Sequence, residues 1–419
     1  MVSNAEKQDS REPPAAEWRN VRLGGYEHVR LDQIGSVSRG RSKHRPRNDP
    51  RLYGGAYPFV QTADVKNAPM YLTQYSQTYN EDGLRQSKLW DKGTLCITIA
   101  ANIAETAILG IRACFPDSII GFTADQRKCD VRYVKYQFDN EVQALCKSMS
   151  QGATQDNLSV EKLLSIKISL PPLPIQQRIA EVLGAYDDLI ENNRRRIALL
   201  ENMARELYRE RFMRASLPFE KKSVFECKFL RFCASRIKRY EGSKLYLATA
   251  DVNGVGNVNG GERLPFSDLP SRAQMVPEPY SIWFARMSAS YKILAFEPNG
   301  VEREDDVILS SGFAGFQTDA KHWGFVYCCF SSPEFDKEKD RYATGATQIS
   351  LTNEGLSNIQ IPVYSDDEIE KFGVTIQPLL DLLHGLHRQN RGLARQRDAL
   401  LPRLMSGKID LQKLEKEVS

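Results

Sequence analysis

The sequence predicts an α+β protein built from two similar halves, each a mainly β domain followed by a long helix of coiled-coil type. Three observations predict it. Thr62-Ala63-Asp64-Val65 returns as Thr249-Ala250-Asp251-Val252, and Gly152-Ala153-Thr154-Gln155 returns as Gly345-Ala346-Thr347-Gln348. After each Gly-Ala-Thr-Gln comes a short apolar alternation, then a long helical stretch of the same phase. A period near 190 residues is far longer than the roughly 20–50 of solenoid repeats, so the repeated unit is a domain with its connector. Two such modules in one chain make a pseudo-two-fold object, which suits a two-part target such as duplex DNA.

Composition sets the bounds. At 419 residues, with 41% hydrophobic and 26% charged residues, the chain has room for two or three cores of an ordinary soluble protein. The most membrane-like run, Leu95 to Ile111, is broken by Asn102 and Glu105 and is too short to span; the start shows no charged-then-apolar signal pattern. Eight scattered cysteines without a Cys-x-x-Cys pair read as reduced thiols in a cytoplasmic protein. The net charge of +4 permits nucleic-acid binding without arguing for it. Its distribution is more informative. Arg39, Arg41, Lys43, Arg45, Arg47 and Arg51 crowd a stretch rich in Gly and Pro, which reads either as a phosphate-contacting loop or as a solvated one.

Along the chain, residues 1–17 read as a disordered polar tail. Residues 18–170 form the first domain, with strand-like runs such as Tyr57–Val60 and Leu95–Ile99 between Gly, Asn and Asp. Residues 171–214 are the first long helix. The second domain, 215–365, has candidate strands at Leu245–Ala248, Ser281–Ala285, Val307–Leu309 and Phe325–Phe330. Residues 366–411 are the second helix and 412–419 a tail.

In the first helix Ile175, Ile179, Val182, Tyr186, Leu189, Asn193, Leu200, Met203 and Leu207 follow a 4-3 spacing. In the second, Ile369, Phe372, Ile376, Leu379, Leu383, Leu386, Asn390, Leu393, Leu400 and Leu404 do the same. Each is the seam of a two-stranded coiled coil, and the intervening domain makes an antiparallel pairing natural. Asn193 and Asn390 then face each other near the middle and set the register, or else both turn toward solvent. Pro402 should kink or end the second helix.

A search for catalytic chemistry returns little. The Pro-Pro pairs at 13–14 and 171–172 lack the aromatic that a base-methylating Asn/Asp-Pro-Pro-aromatic loop needs. Gly35 to Ser42 imitates a phosphate-binding loop, but Arg41 stands where the lysine is required. His384 and His387 lie at i, i+3 without a third ligand at metal-binding spacing and read as surface residues flanking the seam. Gly254-Val-Gly256 is a turn rather than a dinucleotide fingerprint. No metal site and no catalytic set is suggested.

At this point the motifs resemble a known family. Gly152-Ala-Thr-Gln-Asp-Asn-Leu-Ser159, Ile166-Lys-Ile168 and Leu170-Pro-Pro-Leu-Pro-Ile-Gln-Gln-Arg-Ile-Ala180, running into the helix through Asn192-Asn193, resemble the central conserved region of the specificity subunit of Type I restriction-modification enzymes. Arg397–Leu401 and Met405-Ser-Gly-Lys408 resemble its distal region. The resemblance implies two target-recognition domains (18–170 and 215–365) that each read half of a split, asymmetric DNA site, and two spacer helices that set the gap and dock two modification subunits. Those partners would bind S-adenosylmethionine and methylate adenine. Restriction subunits using ATP and Mg would join them, and this chain would bind no cofactor itself. Gln176 and Gln177 are the implied partner-docking residues; in the second copy Pro362-Val-Tyr-Ser-Asp-Asp-Glu-Ile369 replaces that segment.

Arg, Lys, Asn and Gln on loops are the side chains able to read base edges. The DNA-binding candidates are Arg39, Arg41, Lys43, Arg45 and Arg47 in the first half, and Arg263, Arg272, Arg286 and Lys292 in the second; any one of them could instead meet phosphate or solvent. The competing readings are a self-contained DNA methyltransferase or nuclease with degenerate motifs, and a coiled-coil scaffold that never touches DNA.

Overall fold

The computed structural model describes residues 26–100, 103–150, 158–234, 236–258, 260–297, 306–345 and 349–409. The two expected tails and the first Gly-Ala-Thr-Gln lie outside these residues, as do Ala346 to Gln348 of the second. The chain divides into two compact units, one comprising residues up to Asp188 together with those from Arg395 onward, the other Leu189–Ala394.

The strands of the first unit are β1 (Glu27–Val29), β2 (Gly35–Arg39), β3 (Tyr53–Phe59), β4 (Tyr71–Leu72), β5 (Gln77–Tyr79), β6 (Leu89–Trp90), β7 (Leu95–Thr98), β8 (Thr106–Leu109), β9 (Ala113–Cys114), β10 (Ile119–Ala124) and β11 (Ile168–Leu170). They build three sheets, in the orders β1-β11, β2-β10-β7-β8-β4 and β5-β3-β9-β6.

The second unit has β12 (Glu220–Ser223), β13 (Arg231–Phe232), β14 (Ser243–Leu247), β15 (Val252–Val255), β16 (Asn257–Val258), β17 (Glu262–Pro265), β18 (Ala273–Met275), β19 (Ser281–Ala285), β20 (Lys292–Phe296), β21 (Val307–Ser310), β22 (Phe313–Gln317) and β23 (Gln360–Val363). Their orders are β12-β23, β13-β22-β19-β20-β15-β16 and β17-β14-β21-β18.

Strand for strand the two units share one plan, β16 being an addition at one edge. Even the senses agree: β4 runs parallel to β8 as β15 does to β20, and β3 parallel to β9 as β14 does to β21. The duplication that two tetrapeptides hinted at is a duplication of topology.

The central strands are buried on both faces, so each separates two cores. In β7, Leu95 and Ile97 face a core shared with the helices, while Cys96 faces one between the sheets with Trp90 and Phe115. In β19, Ile282 and Phe284 take the first role and Trp283 and Ala285 the second. A glycine makes room at the same register in each unit. Gly121 lies opposite Cys96 and Gly315 opposite Trp283, and a Cβ on either would meet an indole ring, of Trp90 or Trp283, at 2.5 or 2.3 Å.

The expected strand Phe325–Phe330 is instead part of a helix, Trp323–Phe330, every residue of which is buried. A continuous apolar run fits a doubly buried strand and an enclosed helix equally well, and here it shares a core with Ile282 and Phe284 of β19.

The long helices are Leu173–Tyr208 and Asp366–Met405. The first begins directly after Pro171-Pro172, with Pro174 in its opening turn where no intrahelical donor is required. Pro402 sits in the last turn of the second helix, which ends at Met405, and Gly407 at φ 66° takes the chain out of the helix. Within each unit their segments run antiparallel. In the first, Asp187 meets Arg397, and Ile179, Ala180 and Leu183 share a core with Leu404 and Met405. In the second, Asn193 meets Asn390, and Phe212 packs on Phe372. No helix among the described residues is long and apolar enough to cross a membrane.

The face that the first helix buries keeps Ile179 and Asn193 of the expected seam but otherwise lies one residue farther along. Leu183, Ile190, Ile197 and Ala204, a strict seven-residue series, are buried with Gln176, Ile179, Asp187, Asn193 and Tyr208. Val182 and Tyr186 are only half-buried, while Leu189, Met203 and Leu207 are exposed. The helix carries two apolar stripes one residue apart in phase. The buried one includes Asp187, engaged by Tyr136 and Arg397 at 2.5 Å each. On the second helix Ile376, Leu383 and Leu386 are buried as expected; Leu379 and Asn390 are half-buried, and Leu380 takes the fully buried place beside Leu379.

Candidate nucleic-acid interface

In the first unit the basic segment leaves the end of β2 along a fixed path. Gly40 N donates to the Ile119 carbonyl at 2.8 Å and Arg41 N to that of Phe115 at 3.0 Å. Gly40 lies so close to Pro116 that a Cβ would meet its carbonyl oxygen at 2.3 Å. Ser87 Oγ donates to the Arg41 carbonyl at 2.7 Å, and His44 N to Gln86 Oε1 at 3.0 Å. Farther on, Asp49 accepts from Arg51 and pairs with His44, and the Arg51 hydrogen bonds hold its carboxyl far below the usual range. The segment is therefore an anchored ribbon rather than a free loop.

Its cations fall into two groups. Arg45 and Arg47 both turn onto Asp117, at 3.8 and 2.6 Å, and Arg45 also donates to the Ser42 carbonyl. Arg39, Arg41 and Lys43 are exposed and, among the described residues, in no salt bridge; Arg39 acts only at longer range, on Glu161. Lys88 stands close by, its ammonium 3.5 Å from the Trp90 ring centroid and 3.5 Å from Ser38 Oγ.

In the second unit, three of the four expected DNA readers are engaged by their own chain. Arg263 forks onto Asp306 at 2.5 Å. Arg286 is half-buried and donates to the carbonyls of Phe313 and Leu351 and to Asn353, burial lowering its pKa. Lys292 donates to the Thr249 carbonyl at 2.6 Å. Arg286 and Lys292 satisfy part-buried carbonyls that would lose this partner if the side chains turned to a ligand, whereas Arg263 and Asp306 pair at the surface. Arg272 alone of the four is exposed without such an engagement.

Two further expectations change. Gln176, expected at a partner interface, is completely buried; its carboxamide accepts from Asp130 N and donates to the carbonyls of Lys128 and Pro171, pinning the helix to its own domain. Gln177 is exposed beside it. His384 and His387, expected at the surface, are both 6% exposed. His384 pairs with Glu297 at 2.7 Å, which Gln377 also holds. His387 faces a small cavity with Tyr327 and Arg391, and burial, aided by His384, pushes its pKa down to about 4. Among the described residues no group of three His, Cys, Asp or Glu side chains is placed to hold a metal ion.

Several apolar side chains stand exposed among the polar residues on the open faces of the helices. Leu199 is 63% exposed, Met203 55% and Val374 75%. Leu199, Met203 and Leu207 lie at i, i+4 and i+8, a single helical stripe.

Comparison with known proteins agrees with this architecture. The Type I restriction modification DNA specificity domain matches residues 24–202. The Type I restriction enzyme MjaIX specificity subunit of Methanocaldococcus jannaschii is 25% identical over 426 residues, covering 92% of this chain and 94% of its own. The MjaVIII specificity subunit of the same organism is 20% identical, covering 86% and 88%. The crystal structure of the Type I restriction-modification S subunit from M. genitalium shares the fold with a TM-score of 0.52 at 15% identity, over 91% of this chain and 96% of that one. With two units of one strand plan, the chain is similar along nearly its whole length to Type I restriction-modification specificity subunits.

Proposed function

We propose that this chain reads a bipartite, asymmetric DNA site, one half through each unit, and that it works without a catalytic centre of its own. The observation that carries the reading is the repeated strand order in two units whose sequences have diverged. A common scaffold with different surfaces suits a target whose two halves differ. The long helices then act as a ruler. A tract such as 175–207 is ~48 Å long, enough to serve major-groove sites a turn of ~34–36 Å apart on one face of the duplex.

Two modification subunits dock on the helices. The stripe Leu199, Met203, Leu207 is the surface fitted to receive one, since contiguous exposed apolar residues at helical spacing mark an interface. Gln177 belongs at the start of the same helix, whereas Gln176 does not contribute. S-adenosylmethionine sits on those partners, and ATP and Mg on the restriction subunits that join them.

The deciding experiment exchanges residues 215–365 for the matching domain of another specificity subunit and maps methylated adenines across the genome. One half-site should change and the other persist. Loss of both in a soluble, assembled hybrid would refute independent reading.

A further inference from the structure

The shared strand plan gives a residue-by-residue register between the units, and it relocates the DNA-facing cations of the second. Gly121 and Gly315 occupy the same position in their sheets, opposite Cys96 and Trp283. On the other side of these glycines lie Ser38, paired with Gly121, and Cys233, whose N–H donates to the Gly315 carbonyl at 2.9 Å. Counting onward from Ser38 and Cys233, Arg41 falls on Arg236, Lys43 on Lys238 and His44 on Arg239.

The two segments also follow the same route. In the first unit the ribbon is held by Gln86 and Ser87, just before β6. In the second, Arg236 bridges to Met275, and Ile237 N donates to the Gln274 carbonyl at 3.2 Å, both in β18, the counterpart of β6. Arg236, Lys238 and Arg239 are exposed and, among the described residues, in no salt bridge. The contrast with Arg263, Arg286 and Lys292 is sharp. A basic segment with an anchored backbone and uncommitted side chains recurs at one register in domains that otherwise differ widely.

We infer that Arg236, Lys238 and Arg239 form the duplex-contacting segment of the second unit, the counterpart of the segment that carries Arg41, Lys43 and His44 in the first; this rests on the DNA-reading role proposed above. Anchored cations at the rim of a sheet can meet backbone phosphates without breaking internal hydrogen bonds, which is what a positioning contact requires.

The test uses the full chain and a ~40-bp duplex of random sequence, with affinity followed by fluorescence anisotropy between ~50 and ~200 mM salt. R236A/K238A/R239A should bind about 10-fold or more weakly, and its log–log salt slope should be shallower by about 3, one unit per lost phosphate contact. R85A/R341A/K371A removes three charges from ion pairs within single helices and should keep the wild-type slope. Should the alanine variant melt early, R236Q/K238Q/R239Q keeps side-chain bulk and should show the same loss. Wild-type slope in the 236–239 variants, with weakening in R39A/R41A/K43A, would overturn the assignment and leave the DNA-reading role standing. A wild-type chain without salt-dependent duplex binding would overturn both.

Discussion

Asn193 Nδ2 donates to Asn390 Oδ1 at 2.9 Å, so a residue is hydrogen-bonded to its own counterpart in the repeat, 197 positions on. Asn193 also reaches Gln389 Oε1 at 3.0 Å, and Asn390 Nδ2 the Ile190 carbonyl at 3.4 Å. Asn193 is buried within an apolar seam between Ile190 and Ile197. A paired amide at such a place rewards one register, because sliding either helix leaves it buried without a partner.

Asn193→Leu alone should therefore destabilise the chain by about 1–3 kcal/mol, since it strands the Asn390 amide. Asn193→Leu with Asn390→Leu should recover most of that loss and weaken the preference for a single helix register. Thermal melts arranged as a double-mutant cycle read the coupling; additive losses would show that the two amides act independently.

Two buried groups in the second unit should give opposed pH dependences. His387, surrounded by Tyr327, His384, Arg391 and the Gly256 backbone, has its pKa lowered from 6.5 to about 4, mainly by burial. The unfolded chain takes up this proton first, so stability falls as pH drops from 6.5 toward 4. Glu201, in a pocket with Arg205, Tyr291 and Tyr327, has its pKa raised by burial from 4.5 to about 7. Here the unfolded chain loses its proton first, and stability falls as pH rises through that range. His387→Leu should remove the acid-side loss. Glu201→Gln should raise stability above pH ~7 by on the order of 1 kcal/mol. Melting temperatures across pH check both; parallel curves for wild type and variants would contradict the assignment.

The exposed stripe makes a prediction about assembly. Leu199→Ser, Met203→Ser and Leu207→Ser together should leave the melting temperature within a few degrees, because none of the three is buried. Co-expressed with its modification subunit, the triple variant should lose the 2:1 complex in sedimentation, while the variant alone should be more soluble than wild type. Unchanged complex formation would place docking elsewhere on the chain.

The ruler can be lengthened. Four residues inserted in phase within 190–200 add about one turn, ~6 Å, and should widen the unread gap by about two base pairs while both half-sites are still read. Methylation at the original spacing would show that the helix does not set it.

Methyl transfer by the chain alone is the simplest refutation of a non-catalytic role. The highly purified protein with S-adenosylmethionine and duplex DNA should show none, and adding the modification subunit should restore it.

Much of this molecule was legible in one dimension. Tetrapeptides repeated at domain-length spacing announced two modules, and Ser281–Ala285 and Leu95–Thr98 are strands because β-branched and aromatic runs between turn residues have few alternatives. Both long helices were visible because heptad spacing over many turns leaves a strong periodic signal. What escaped was whatever depended on the partner across a contact. The first helix has two apolar stripes, and the choice between them was made by Tyr136 and Arg397, which allow Asp187 to be buried. Trp323–Phe330 is a helix, a choice that its unbroken apolar run leaves open. The charge of Arg263, Arg286 and Lys292 is plain in the sequence, but Asp306 and a handful of backbone carbonyls, distant along the chain, engage those side chains. Local spacing determines which element a segment can form. Only the folded chain decides which face of it is buried and which cations stay outside internal pairs, because those outcomes are energies of pairs that the sequence order does not bring together.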